Sequence, residues 1–187
     1  MPSMYNQGSQ WNNIKAANLF KWSDVHKLGR HYEQYIEEWW DPDMFPWGAV
    51  NVLIMYCPQH FSLWWQTDRF PWRPRPTRLM IRHLGHRLTE WWDRDRFPWG
   101  ACTGYLICEL GNLFPLWWNP EYFPWEGVWN GRTASELLTM YCPDYLPDWY
   151  DSDRLMWTED LCKLLIRHCK EYQNIWGTDT LLYKLSL

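Results

Sequence analysis

A nine-residue, tryptophan-rich motif occurs four times in this chain and constrains its fold more than any other feature. The motif has the form WW-x-x-[DE]-x-FPW, and its copies begin at Trp39, Trp64, Trp91 and Trp117. A fifth, altered copy begins at Trp149, and successive copies start 25, 27, 26 and 32 residues apart. Near-constant spacing of this kind is typical of a tandem repeat, whose terminal copies commonly diverge.

The positions shared by the four copies are predicted to be structural, because a residue present in every unit serves the unit itself. These positions are Trp39, Trp40, Asp43, Phe45, Pro46, Trp47, Trp64, Trp65, Asp68, Phe70, Pro71, Trp72, Trp91, Trp92, Asp95, Phe97, Pro98, Trp99, Trp117, Trp118, Glu121, Phe123, Pro124 and Trp125. We expect the repeated acid to accept backbone N–H groups in a turn or to face the N-terminus of the next helix. Its repetition argues against a catalytic role, and we expect no catalytic residues.

Apolar residues between the copies recur at the spacing of amphipathic helices. The clearest helix is predicted over 77–92, with Thr77 as its N-cap, and another over 158–176, with Thr158 as its N-cap. Further helices are predicted over 23–40, 48–57, 100–116 and 133–142. In this interpretation WW closes one helix, and the proline of FPW sets the first turn of the next.

The repeat therefore predicts an all-α fold in which tandem units of about 26 residues stack into a compact solenoid or bundle with Trp-rich turns. We expect an N-terminal segment over 1–22 and a single repeat domain over 23–187. Its units lie near 23–47, 48–72, 73–99, 100–125 and 126–157, and residues 158–176 form a C-terminal capping helix.

The composition of the chain narrows its class. With 18 Trp among 187 residues the chain is not of the disordered type, and it contains no apolar run long enough to span a membrane. It begins without a signal-peptide pattern, and its six cysteines include no CxxC pair. We therefore expect an intracellular protein, cytoplasmic or nuclear, with reduced core thiols.

Potential metal ligands occur only as fragments. They are Cys57 with His60, His83 with His86, and His168 with Cys169. Zinc sites need a second ligand pair at suitable spacing, which is missing here. We therefore expect neither a metal nor a cofactor.

Arginine is distributed unevenly in a chain whose net charge is −4. Eight of the twelve arginines lie between residues 69 and 96, and no lysine lies between Lys27 and Lys163. The candidates for binding a partner or an anion are Arg69, Arg73, Arg75, Arg78, Arg82 and Arg87. The alternatives are single-stranded nucleic-acid binding, in which arginine and aromatic rings act together, and cation–π packing of arginine on tryptophan.

Leu138, Cys142 and Leu146 form the pattern Leu-x-x-x-Cys-x-x-x-Leu. This pattern resembles the elongin-binding box of cullin ubiquitin-ligase substrate receptors, which small viral accessory proteins imitate. The resemblance implies a ligase adaptor, although Leu137 replaces the small residue of the box and Pro143 interrupts the helix. The alternative is a core stripe, since Leu-x-x-x-Cys also occurs at Leu53 with Cys57 and at Leu165 with Cys169.

These features together favour a non-enzymatic scaffold or adaptor that binds another protein. Repeat proteins commonly present extended binding surfaces, and Trp, Tyr and Arg dominate interface hot spots. Because 18 Trp cannot all be buried in the core of a 187-residue chain, we expect an exposed aromatic patch. The sequence does not indicate an oligomeric state.

Overall fold

The computed structural model describes residues 10–15 and 21–176, and these residues are mostly helical, as the sequence predicts. Within these ranges the longer helices are α1 (Val25–His31), α2 (Asn51–Tyr56), α3 (Pro74–Leu84), α4 (Trp99–Leu110), α5 (Ala134–Tyr141) and α6 (Glu159–His168). Most of the predicted N-terminal segment 1–22 lies outside the described residues. No helix in the described part of the chain is both long enough and apolar enough to cross a bilayer.

A 3-10 turn and then a four-residue α-helix ending on a tryptophan follow each of these six helices. The 3-10 turns are Glu33–Tyr35, Pro58–His60, Gly85–Arg87, Gly111–Leu113, Pro143–Tyr145 and Lys170–Tyr172. The short α-helices are Ile36–Trp39, Phe61–Trp64, Leu88–Trp91, Phe114–Trp117, Leu146–Trp149 and Gln173–Trp176. Two other 3-10 turns, Trp22–Asp24 and Trp47–Ala49, precede α1 and α2. The helices predicted over 23–40, 77–92, 100–116 and 158–176 are therefore interrupted rather than continuous.

The first tryptophan of the motif explains this interruption, because its indole reaches back to the end of the longer helix. Trp64 Nε1 donates to the Cys57 carbonyl at 2.8 Å, and Trp117 Nε1 donates to the Leu110 carbonyl at 2.8 Å. The same bond, seven residues back along the chain, is made by Trp39, Trp149 and Trp176. The indole thus adds a second donor to a carbonyl at the helix end, as at Cys57, whose carbonyl also accepts the His60 N–H at 3.1 Å.

The chain groups into two compact units, Met1–Arg87 and Leu88–Leu187, which we call the N-terminal and C-terminal units. In the N-terminal unit, α2 packs against both α1 and α3. Gly29 of α1 allows the first of these contacts, because a Cβ at this position would lie 2.2 Å from Val52 Cγ1 of α2.

In the C-terminal unit, α5 packs against both α4 and α6, and a short hairpin precedes it. Strand β1 (Val128–Trp129) pairs antiparallel with β2 (Arg132–Thr133), and Val128 lies opposite Thr133. Asn130 and Gly131 join the strands with φ values of 53° and 76°, as a two-residue hairpin turn of type I′ requires. The Asn-Gly pair is a recognised hairpin signal, and the extra residues account for the longer spacing before the fifth motif.

Trp129 anchors this hairpin on α4. A Cβ at Gly104 would lie 2.5 Å from Cγ of Trp129, so the indole occupies the space that glycine leaves on the helix. Gly127 has a similar function, because a Cβ there would lie 2.2 Å from the Trp129 ring.

The N-caps of α5 and α6 are joined through one buried carboxylate. Thr133 Oγ1 accepts from the Glu136 N–H at 3.2 Å, and the Thr133 N–H donates to Glu136 Oε2 at 3.1 Å, which completes a capping box. Thr158 Oγ1 donates to Glu136 Oε1 at 2.9 Å and accepts from the Leu161 N–H at 2.9 Å. The predicted N-cap at Thr158 is confirmed.

Two other predicted capping residues are wrong. Helix α3 begins at Pro74, which suits a first helical position, and Thr77 is buried inside the helix, where its N–H donates to the Arg73 carbonyl. In the first motif the acid Asp43 does not cap the turn. The cap is Asp41, whose Oδ1 accepts from the N–H of Asp43 at 2.8 Å. The equivalent third-position residues that accept in this way are Asp93, Asn119 and Asp151.

The remaining aromatic positions of the motif form a compact triad. In the second motif, the rings of Trp65 and Phe70 are 5.1 Å apart, and Trp72 meets both edge-on at 6.1 and 5.0 Å. Trp72 Nε1 also donates to the Thr67 carbonyl at 3.3 Å, which holds the turn closed. The first, third and fourth motifs repeat this triad with Trp40, Phe45 and Trp47, with Trp92, Phe97 and Trp99, and with Trp118, Phe123 and Trp125.

This clustering removes most tryptophan surface from water. All 18 tryptophans lie in the described ranges; eight are buried and ten are half-buried, so no tryptophan is exposed there. The premise that some tryptophans must be exposed is therefore wrong for the described residues, because the indoles pack against one another. The exposed aromatic side chains in these ranges include Tyr105, Tyr122 and Tyr141.

Candidate interaction surface

Two of the six candidate arginines connect consecutive repeats. The Arg69 guanidinium forms an ion pair with the carboxylate of Asp43 in the preceding turn. The Arg87 guanidinium lies 4.9 Å from the centre of the Phe61 ring and donates to Ser62 Oγ at 3.2 Å. These contacts are structural, and the Arg87 contact is a cation–π interaction on phenylalanine rather than on tryptophan.

The other four candidate arginines lie at or within α3. Arg73, Arg75 and Arg82 are exposed, and Arg78 is half-buried. His83 and His86 are also exposed nearby, and no Asp or Glu occurs between residues 69 and 89. The predicted cluster therefore divides into two structural arginines and a basic helix surface.

A second contact between turns lies in the C-terminal unit. The Tyr122 hydroxyl donates to Asp95 Oδ1 at 2.8 Å, and the Arg94 guanidinium lies 5.3 Å from the Tyr122 ring centre. The hydrogen bond from Tyr122 lowers the pKa of Asp95 and raises the pKa of Tyr122. Asp95 thus links neighbouring turns, and so does Arg154, which donates to the Pro120 carbonyl at 3.1 Å.

The pattern that resembles an elongin-binding box lies in the core. Leu138, Cys142 and Leu146 are 0%, 1% and 0% exposed. The Cys142 N–H donates to the Leu138 carbonyl, and the Cys142 carbonyl accepts the indole N–H of Trp149 at 2.9 Å. The corresponding cysteines of two other repeats, Cys57 and Cys169, are buried in the same way.

Burial also controls the chemistry of these thiols. It raises the pKa of Cys57, Cys142 and Cys169 to about 12, so these thiols stay protonated at neutral pH. Cys108 is exposed; partial burial raises its thiol pKa, and a hydrogen bond with Tyr141 opposes this effect. In the described part of the chain, His, Cys, Asp and Glu form no group of three that could hold a metal ion.

Two of the open clefts in the C-terminal unit differ in composition. One, of about 440 Å³, lies between the third and fourth motifs, and its lining residues include Trp92, Arg94, Leu116 and Trp118. The other, of about 370 Å³, lies where the hairpin meets α6. Its lining residues are Arg132, Asp160, Lys163, Leu164 and Arg167.

Charge is segregated in the N-terminal unit. Helices α1, α2 and α3 contain no Asp or Glu, whereas each of α4, α5 and α6 contains at least one. The Lys and Arg residues of these three helices are Lys27, Arg30, Arg75, Arg78 and Arg82. The described acids of this unit lie instead in the turns and short helices. The charged side chains of the three longer helices are therefore all positive, on a chain whose net charge is −4.

Two of the three helices carry an Arg-His pair at the same repeat position, nine and eight residues before the first tryptophan of the motif. The pairs are Arg30 with His31 on α1 and Arg82 with His83 on α3. Helix α2 has Met55 and Tyr56 at this position. Tyr56 is half-buried and the other five are exposed. We call these six residues the outward row. The repeated Arg-His pair is visible in the sequence. It is missed when arginines are grouped by their proximity along the chain and not by their position within the repeat.

Comparison with known proteins gives no relative. No family model, curated protein or solved structure matches this chain.

Proposed function

We propose that this chain is a non-enzymatic scaffold or adaptor, built on tandem helical repeats, that binds a partner protein through the basic helix face of its N-terminal unit. The observation that carries the proposal is the absence of acids from α1, α2 and α3, together with the exposed Arg73, Arg75 and Arg82. A surface of one charge favours a partner of the opposite charge and speeds its association.

The tandem-repeat architecture is part of the proposal. In each unit the middle longer helix packs against the one before it and the one after it, as stacked repeats require. Contacts such as Arg69 with Asp43 also join equivalent parts of successive turns. Stacking of this kind would line up equivalent helix positions into an extended binding surface.

Single-stranded nucleic acid is the alternative partner for a cluster of arginines. Proteins that hold single strands combine basic grooves with aromatic faces on which bases stack. In the N-terminal unit Trp40, Trp47, Trp65 and Trp72 are half-buried and packed edge-on in the motif triads. The described surface thus offers charge but few stacking platforms, which favours an acidic protein over nucleic acid.

The ligase-adaptor alternative gains no support from the described surface. An elongin-type partner would have to contact Leu138, Cys142 and Leu146, and all three side chains are buried. Contact with them would require α5 to open, at a cost comparable to disrupting the core.

A capture experiment tests the proposal. The immobilised chain is incubated with lysate of its source cells, beside a triple variant with Arg73→Glu, Arg75→Glu and Arg82→Glu. A matched triple variant reverses three cations of the C-terminal unit, Arg132→Glu, Lys163→Glu and Arg167→Glu. We expect the wild type and the matched variant to retain a protein that elutes with salt, and the α3 variant to lose it. Equal retention by both variants would contradict the proposal, and nuclease-sensitive retention would support the nucleic-acid alternative.

A further inference from the structure

We infer that the outward row of the N-terminal unit binds an acidic peptide segment that carries one apolar side chain between its acids. The inference rests on the proposed function and specifies its partner. It depends on three features: the alignment of the row, its charge, and its apolar centre.

Contacts between residues about one repeat apart in the chain align the outward row. Arg69 contacts Asp43, which lies 26 residues earlier, and Arg87 contacts Ser62, which lies 25 residues earlier. Successive repeats of this unit are therefore related by a similar displacement, and α2 packs between α1 and α3. Residues at the same repeat position, such as Arg30, Met55 and Arg82, then follow one another across the three helices.

The charge of the row is positive at both ends. Arg30 with His31 on α1 and Arg82 with His83 on α3 flank the uncharged pair on α2. Two acids flank α1 in the chain: Asp24 is paired with Lys27 at 3.2 Å, and Glu33 is half-buried and acts electrostatically on Cys57. Two cationic ends separated by a neutral centre match a ligand with acids at two places.

The centre of the row is apolar and adaptable. Met55 is 36% exposed on a helix whose other apolar residues are mostly buried, and Tyr56 beside it is half-buried. Methionine is unbranched and polarizable, so it fits apolar ligands of varied shape. A purely electrostatic anion site would gain nothing from this side chain, whereas a peptide with an apolar residue would bury it.

The test measures fluorescence anisotropy with a labelled Asp/Glu-rich peptide that has one central Leu. A matched peptide has Ser at that place. About ten residues suffice, because three helices at an interaxial spacing of about 10 Å span about 20 Å and an extended chain covers about 3.3 Å per residue. The variants of the full chain are Arg30→Glu, Arg82→Glu and Met55→Ser, with Arg167→Glu as control. Arg167 is exposed and has the same repeat position on α6.

We expect the Leu peptide to bind more tightly than the Ser peptide, by about fivefold. Arg30→Glu and Arg82→Glu should each weaken binding by about tenfold. Met55→Ser should abolish the preference for Leu while leaving the Ser peptide unaffected. The control Arg167→Glu should change affinity by less than about twofold, and circular dichroism should show that every variant is folded.

The outcomes distinguish this inference from the broader proposal. If Arg82→Glu weakens binding but Arg30→Glu and Met55→Ser have no effect, the row is overturned, while docking on α3 stands. If Arg167→Glu is as harmful as Arg82→Glu, the interaction is non-specific and the row is overturned. If neither peptide binds, the row is overturned, and the capture experiment decides the proposed function separately. If oligo(dT) displaces the peptide at lower concentration than an unlabelled copy does, nucleic acid replaces the acidic peptide as the partner.

Discussion

The tryptophans of one motif differ in what their indole N–H groups bind. The indole of the first tryptophan is buried and donates to the end of a longer helix, as Trp117 does to the Leu110 carbonyl at 2.8 Å. The indole of the ninth tryptophan lies nearer the surface and donates within its own turn, as Trp125 does to the Pro120 carbonyl at 3.4 Å. The same residue type therefore contributes unequally to stability.

Replacing Trp117 by Phe should destabilise the C-terminal unit by about 1–3 kcal/mol, because the buried Leu110 carbonyl loses its indole donor. Trp125→Phe is the matched control and should cost less than about 1 kcal/mol, because water can replace the indole at an exposed carbonyl. Urea denaturation followed by circular dichroism gives both values. Equal losses would mean that ring volume, not the hydrogen bond, determines the effect.

The pKa of Asp95 is held below its ordinary value chiefly by the Tyr122 hydroxyl, and Arg94 contributes less. Tyr122→Phe should therefore raise the pKa of Asp95, as measured by an NMR pH titration of its carboxyl carbon. Because the pKa is lower in the folded state, this pair stabilises the fold above the unfolded pKa, and the stabilisation is lost as the pH falls. An unchanged pKa in the Phe variant would assign the shift to Arg94 instead.

At the scale of elements, residues 10–15 complete the first repeat. The Trp11 ring stacks on Tyr35 at 5.4 Å with an angle of 9°, and Trp11 Nε1 donates to Glu38 at 3.1 Å. In the C-terminal unit, Tyr145 at the same repeat position stacks on Phe114 of the preceding repeat at 5.0 Å with an angle of 14°. Trp11 thus takes the place of a preceding repeat and caps the first repeat through its 3-10 turn and short helix.

The hairpin depends on a glycine of α4. Gly104→Ala should destabilise the C-terminal unit and displace the hairpin, because the new Cβ would lie 2.5 Å from Trp129 Cγ. A loss of about 1–3 kcal/mol is typical of overpacking. Gly100→Ala in the same helix is the control, since no atom lies within 4 Å of its Cβ, and it should be neutral or stabilise by up to about 1 kcal/mol. Thermal unfolding separates the two, and similar melting temperatures would show that the hairpin moves without cost.

The sequence predicts the helices better than the contacts between them. Apolar periodicity and the WW and FPW positions locate each helical region, because they record which side of a helix is buried. Periodicity does not reveal the break after Leu110, since a helix and a 3-10 turn bury nearly the same side, but the bond from the Trp117 indole to the Leu110 carbonyl marks it. The sequence also does not show that Asp41, and not Asp43, caps the turn, because both residues are acids and lie two residues apart. To recognise the outward row, both the alignment of the repeats and the exposed fraction of each side chain in the structure were required.

For the whole molecule, cysteine is a natural reporter of folding. Among the six cysteines, Cys108 is exposed and five are buried across both units. A thiol reagent at pH 8 should modify Cys108 before the others, which react only as each unit opens, since the reagent needs both access and a thiolate. The raised pKa values, about 12 for Cys57, Cys142 and Cys169, stabilise the fold below the ordinary thiol pKa of 9, and this stabilisation is lost as the pH rises toward 12.

The labelling is followed by mass spectrometry of the intact chain. One rapid addition followed by slow, grouped additions is expected, with the cysteine of the N-terminal unit, Cys57, separable from those of the C-terminal unit by peptide mapping. Several rapid additions under native conditions would contradict the burial of these thiols.

The motif triads also give the molecule an optical property. In four turns, two indoles stand nearly perpendicular with ring centres 5.7–6.1 Å apart. Transition dipoles at so short a distance couple, so each intact turn should contribute an exciton couplet to the circular dichroism of tryptophan. The couplet disappears when either indole leaves the turn. The protein therefore carries an intrinsic spectroscopic marker for each of its four turns, which can follow assembly or partner binding without any added label.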